Sequence, residues 1–128
     1  MDDIIYHLQQ TLKRSNLKDS IILVTNNGMG TADLVLQHKL AVNYFELLLQ
    51  NNELPAAICF YTDGVHLTVS GSPVLDQLKA LEARGVRLIV CSTCIDYFDI
   101  RDKVQVGIIG GMPDRIEAQT KASKVITI

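Results

Sequence analysis

Five short apolar runs rich in isoleucine and valine, each divided from the next by a stretch with helical spacing, constrain this chain more than any other feature. They cover 21–25, 56–61, 86–91, 106–109 and 124–128. Most are apolar throughout, so neither side of such a strand can face water. Strands of that kind lie inside a parallel sheet covered on both faces by helices. With no hairpin signals between them, the expected fold class is α/β: a three-layer α/β/α sandwich around a mainly parallel sheet.

The intervening segments supply the helices. After the first run, Leu34, His38, Ala41, Phe45 and Leu48 recur at three- and four-residue spacing, with Thr31 and Asp33 placed for the cap and first turn. A second begins at Ser72-Pro73, turns Val74, Leu75, Leu78 and Leu81 inward, and stops at Gly85. A helical turn over 95–98 follows the third run, and the last crossover helix starts near Met112-Pro113-Asp114 and reaches about Ala122. Residues 1–20 are expected to form a leading helical segment and 21–128 the domain proper. The first crossover helix also has a second apolar flank, Leu36, Leu40, Tyr44 and Leu47. Either a second copy of the chain covers it, or the leading segment folds back through Ile4, Ile5, Leu8 and Leu12.

Composition removes several function classes. With 128 residues and 48% hydrophobic content, one domain can bury a core without disulfides or metal. Twelve basic residues against 14 acidic ones leave no field to attract a phosphate backbone, and 5% aromatics give little for bases to stack on, so no nucleic acid is expected. No apolar run approaches the ~20 residues that span a bilayer, and the Met1-Asp2-Asp3 start lacks the basic residues of a secretory signal. Three cysteines, two of them three positions apart, suit a reducing compartment, and the chain is read as cytoplasmic.

In parallel α/β sheets, reacting groups gather beyond the carboxyl ends of the strands. The loops expected on that rim are 26–31, 62–71 and 91–96. In the last, Cys91-Ser92-Thr93-Cys94 follows a buried strand and opens a helical turn. A thiol at a helix start meets unpaired amides that favour the thiolate, which is the nucleophile. Cys94 at helical spacing turns back toward Cys91, so the pair can close a disulfide or pass a sulfur atom. Ser92 and Thr93 add hydroxyl donors. Two small core fillers are the plain alternative, and Cys59, mid-strand, is read as core. No second cysteine pair or paired histidine motif completes a zinc site, so no metal is expected unless a neighbouring copy lends Cys59 or His66.

The loop Asn26-Asn27-Gly28-Met29-Gly30 resembles an anion-binding turn, with two glycines ahead of a helix. It lacks a P-loop lysine and the full dinucleotide glycine pattern, so its glycines also fit a plain tight turn. A nucleotide or flavin there is a third-rank alternative, and no cofactor is expected. Asp63-Gly64 is turn chemistry, and His66 a proton carrier if its loop leans over the thiols. His38 and His7 are read as structural.

From 21 to 128 the sequence resembles the DsrE/DsrF-like sulfur-relay domains, and within them the second domain of YedF-type proteins, which are sulfurtransferase-like and linked to selenium metabolism. The resemblance rests on residues 26–30, on Phe60-Tyr61-Thr62-Asp63-Gly64-Val65, on Gly71-Ser72-Pro73-Val74-Leu75 with Leu78, Leu81 and Gly85, and above all on 85–97 with its CxxC. It implies a five-stranded parallel sheet in the order 4-3-2-1-5, Cys91 as persulfide acceptor, and Cys94 as the second cysteine of the YedF-like branch, suited to resolving the persulfide. It further implies oligomers from dimers to hexamers. YedF-like proteins carry a TusA-like domain ahead of this one; here about twenty residues precede the sheet, so the sulfur donor is expected on another chain. The leading expectation is thus a persulfide carrier or sulfurtransferase. The alternatives are a non-catalytic scaffold subunit and a CxxC thiol-disulfide oxidoreductase.

Overall fold

The computed structural model describes Ile4 and residues 16–128. The expected leading helix, including Ile5, His7, Leu8 and Leu12, lies outside the described residues. In chain order the elements are β1 (Ser20–Val24), α1 (Leu34–Gln50), β2 (Ala57–Phe60), α2 (Leu75–Ala83), β3 (Arg87–Cys91), α3 (Ser92–Tyr97), β4 (Ile108–Gly110), α4 (Met112–Lys121) and β5 (Lys124–Thr127), with 3-10 turns at Asn16–Asp19, Thr62–Thr68 and Arg101–Lys103. The five strands form one parallel sheet in the order β4-β3-β2-β1-β5, the order the resemblance implies.

That order decides which face each helix covers. From β1 through β4 the chain steps in one direction across the sheet, and right-handed crossovers then put every connection on the same side. The step from β4 to β5 returns to the far edge, so the same handedness sends α4 to the opposite side. The cores agree. Ala41, Phe45 and Leu48 of α1, Leu78 and Leu81 of α2 and Ile95 of α3 pack with Ile22, Val24, Ile58, Phe60, Leu88 and Val90 on one face. Ile21, Leu23, Ala57, Cys59 and Ile89 point to the other, where Ala118 of α4 joins them.

Three expectations need correction. Leu34 was placed on the inward stripe of α1, but it is 52% exposed, because the helix meets the core only from Ala41 onward. Not every strand is doubly covered: β4 and β5 are short edges, and their second-face residues Ile108 and Val125 stand exposed. The segment after β2 is more than a loop. Its 3-10 turn buries Val65, Leu67 and Thr68, and the Thr68 hydroxyl donates to Val65 O at 2.7 Å. Gly64 is required there, since a Cβ would lie 2.1 Å from the Val24 carbonyl oxygen.

Candidate functional site

In an open parallel sheet a crevice forms where the loops of neighbouring strands part to opposite faces. Here β3 leads into α3 on the first face and its neighbour β4 leads into α4 on the second. Cys91, the last residue of β3, is paired in register with Gly110 on β4. The sequence therefore delivers its thiol to the mouth of the crevice, at the N-cap position of α3.

Cys91 and Cys94 are both half-buried and free, while Cys59 is free and buried. Cys94 Sγ accepts the Thr62 N–H at 3.1 Å, with Cys91 as its neighbouring thiol. Burial pushes the Cys94 thiol above its ordinary range, the neighbouring Cys91 adds to this, and the Thr62 amide and Arg115 charge oppose it. Cys94 therefore holds its proton more firmly than a free thiol. Cys59 is also raised, by burial first, with Arg115 and Arg87 pulling the other way.

The thiols open on different recesses. Cys91 lines a slot of about 10 Å³ with Cys59, Ile89, Gly110, Gly111, Met112 and Arg115. Cys94 lines a wider apolar groove of about 270 Å³ with Thr62, Thr93, Tyr97 and Phe98. Thr62, on the wall of the Cys94 groove, is held in a left-handed conformation, φ 49°, which is costly for a β-branched residue. Its amide reaches the Cys94 sulfur, and its hydroxyl donates to Thr25 O at 2.7 Å, tying the end of β1 to the site.

The remaining residues singled out from the sequence divide into near and far. Thr93 shares the Cys94 groove. Ser92 instead accepts a hydrogen bond from Arg101 Nη2 at 2.8 Å, within a clamp in which Arg101 grips both Asp96 oxygens at 2.8 and 2.9 Å. That guanidinium holds the exposed Asp96 carboxyl below its ordinary range. His66 packs its ring on Phe98, centroids 4.5 Å apart, so it borders the groove through an aromatic rather than through sulfur. Asp63 is exposed and Gly64 buried under β1.

The loop from Asn26 to Gly30 is bound up in its own fold. Gly28 N–H donates to Asn26 O, Met29 N–H to Gln37 O, and the Asn26 amide to Gly30 O. The Gln37 amide and the His38 ring both reach Asn27, His38 Nε2 lying 3.1 Å from Asn27 Oδ1. A Cβ on Gly28, whose φ is 134°, would stand 2.5 Å from Gln37. These glycines bring the loop against α1.

Two contributors escaped the sequence reading: the β4 to α4 turn, Gly110-Gly111-Met112, and Arg115. The turn was read only as a helix start. A crossover placed on the opposite face of the implied strand order was the available signal.

A parallel sandwich that offers two neighbouring free thiols where its loops part defines a small α/β domain equipped for thiol chemistry. The chain belongs to the DsrE/DsrF-like family, which it matches over residues 18–128. This membership suggests a role related to sulfur relay. Among solved structures it is similar to the YchN protein from E. coli, at 23% identity and a TM-score of 0.63, covering 85% of this chain and 98% of that one; the likeness is one of fold. No curated protein sequence matches the chain significantly. Among the described residues no helix is long and apolar enough to cross a membrane.

Proposed function

We propose that this protein is a persulfide carrier of the sulfurtransferase type, with Cys91 as sulfur acceptor and Cys94 as resolving thiol. The observation that carries the reading is the neighbouring pair of free thiols, Cys91 and Cys94, half-buried at the mouth of the crevice, with the Thr62 amide on the second sulfur. Cys91 thiolate attacks the outer sulfur of a donor persulfide, R–S–SH. The new bond joins Cys91 Sγ to that sulfur, the donor's S–S bond breaks, and R–S⁻ leaves with the electron pair. No oxidant is consumed. An acceptor thiolate then attacks the terminal sulfur, the S–S bond to Cys91 Sγ breaks, and the proton held on Cys94 neutralises the departing Cys91 thiolate.

The CxxC spacing supports the YedF-type placement, and with it a link to selenium as well as sulfur. Three free thiols fit a reducing cytoplasm. The partners are a TusA-like donor on another chain and further copies of this one, docked through Leu36, Leu40 and Leu47, which remain exposed on α1.

Intact-mass measurement after incubation with a persulfide donor tests the reading. Wild type should gain one sulfur atom, Cys91→Ser none, and Cys94→Ser should load but release slowly to an acceptor thiol. Equal loading of Cys91→Ser would remove Cys91 from the role. A disulfide that forms between the pair without any sulfur gain would favour the oxidoreductase instead.

A further inference from the structure

The slot beside Cys91 contains a charge that the transfer step above leaves unused. Arg115 enters it from the first turn of α4, its guanidinium laid on the Tyr61 ring with Cζ 3.7 Å from the centroid. Its Nε is buried without a hydrogen-bond partner, and no carboxylate forms an ion pair with it among the described residues. Buried donors are nearly always satisfied, so an oriented, unspent N–H on a cation marks the place of an acceptor, and an anion suits it best.

The shape of the slot narrows what that anion is. Its volume, about 10 Å³, is the room taken by one water-sized atom. Apart from Arg115 its walls are thiol, thioether, hydrocarbon and glycine backbone: Cys59, Phe60, Ile89, Met112, Gly110 and Gly111. Such walls suit a soft, polarizable atom and exclude a sulfonate, whose three oxygens need both space and several donors. Gly110 keeps the slot open, because a Cβ there would approach Asp114 Oδ2 to 3.0 Å and Ile89 Cγ2 to 3.2 Å. The Asp114 carboxylate is itself engaged by the Gly111 N–H at 2.9 Å.

We infer that Arg115 is the counter-ion of the cargo: it holds the terminal sulfur of the Cys91 persulfide, seated as a single atom in the Gly110–Gly111–Met112 slot. The inference rests on the persulfide reading. Arg115 acts as a positioning residue, keeping the terminal sulfur anionic and aimed while Tyr61 keeps the guanidinium flat. The other ionisable groups are the Cys59 thiol on the slot wall, the Asp114 carboxylate held by the Gly111 N–H, the neighbouring Cys94 thiol, Tyr61 beneath the guanidinium, and Arg87 on β3.

The test loads wild type, Arg115→Gln and Arg115→Lys with a persulfide donor and follows alkylation of the bound persulfide against pH. Removing an opposite charge a few ångströms away should raise the reactivity midpoint by about one unit, so that alkylation below the midpoint slows roughly tenfold in Arg115→Gln. Arg115→Lys should recover most of the loss. A Gln variant that loads and titrates like wild type overturns the role of Arg115 while leaving the persulfide reading intact. Wild type that gains no sulfur removes both. Should Arg115→Gln fail to fold, Tyr61→Ala, which unseats the guanidinium without removing its charge, must raise the midpoint in the same direction; an unchanged midpoint there also overturns the inference.

Discussion

On one face of the sheet, Ile22, Val24, Ile58, Phe60, Leu88 and Val90 are sealed beneath three helices and a 3-10 turn. On the other, Ile21, Leu23, Ala57, Cys59 and Ile89 have Ala118 of α4 as their one buried helical partner among the described residues. That face is hollow at both ends: the Cys91 slot lies at one, and at the other a cavity of about 300 Å³ is bordered by Lys18, Asp19, Arg87, Glu117 and Lys121. The contrast sets a sealed core, against which Cys91 and Cys94 also pack, beside a thinly covered face on which the Cys91 slot opens. Tight packing on the first face lets the second stay thin enough for atoms to enter between strand ends and α4.

The comparison breaks most visibly by excavating the first face. Phe45→Ala should cost about 3–5 kcal/mol in denaturant unfolding, whereas Ile116→Ala, on the exposed side of α4, should stay within about 0.5 kcal/mol. Comparable losses at the two positions would end the division of labour. Next in size is Gly64→Ala, which forces a methyl against the β1 carbonyl and should cost about 1–3 kcal/mol or more.

Alkaline pH probes one thiol from each face, Cys59 on the second and Cys94 packed against the first. Burial raises the thiols of Cys59 and Cys94, so folding holds their protons more tightly than the unfolded chain does. The associated stability is whole below the unfolded thiol value of ~8.5 and is lost as pH climbs through the raised folded values. Unfolding free energy should fall over that window, and Cys59→Ala should flatten the decline. A slope unchanged by Cys59→Ala would show that the buried thiol is not its source. The smallest effect on stability is expected from Leu40→Glu on the exposed flank of α1, within about 0.5 kcal/mol. The same change should lower the assembly mass in light scattering, and an unaltered mass would exclude that flank as the contact between copies.

How much of this was legible follows from what each residue answers to. The strands were readable because a doubly covered strand must be apolar throughout, and β1 and β2 are buried along their whole length. Cys91 was readable because a strand end followed at once by a helical turn fixes where the thiol emerges. Arg115 was not, because on a linear chain it is one more charged residue of a polar helix; its meaning comes from α4 crossing to the second face and setting it on Tyr61. The glycines at 28 and 30 fit either an anion-binding turn or a plain tight turn, and the amides of Gly28 and Met29 answer to Asn26 and Gln37. Local sequence shows the supply of donors, and only tertiary contacts show where they are spent.

The left-handed backbone at Thr62 has a mechanical consequence. Holding a β-branched residue there stores on the order of 1–2 kcal/mol, and among its anchors are the Cys94 sulfur and the Thr25 oxygen. Any covalent change that draws the Cys94 lone pair elsewhere slackens one anchor, and the tips of β1 and β2 are then free to relax together. The loops around the two thiols would thereby respond to a modification of the second sulfur.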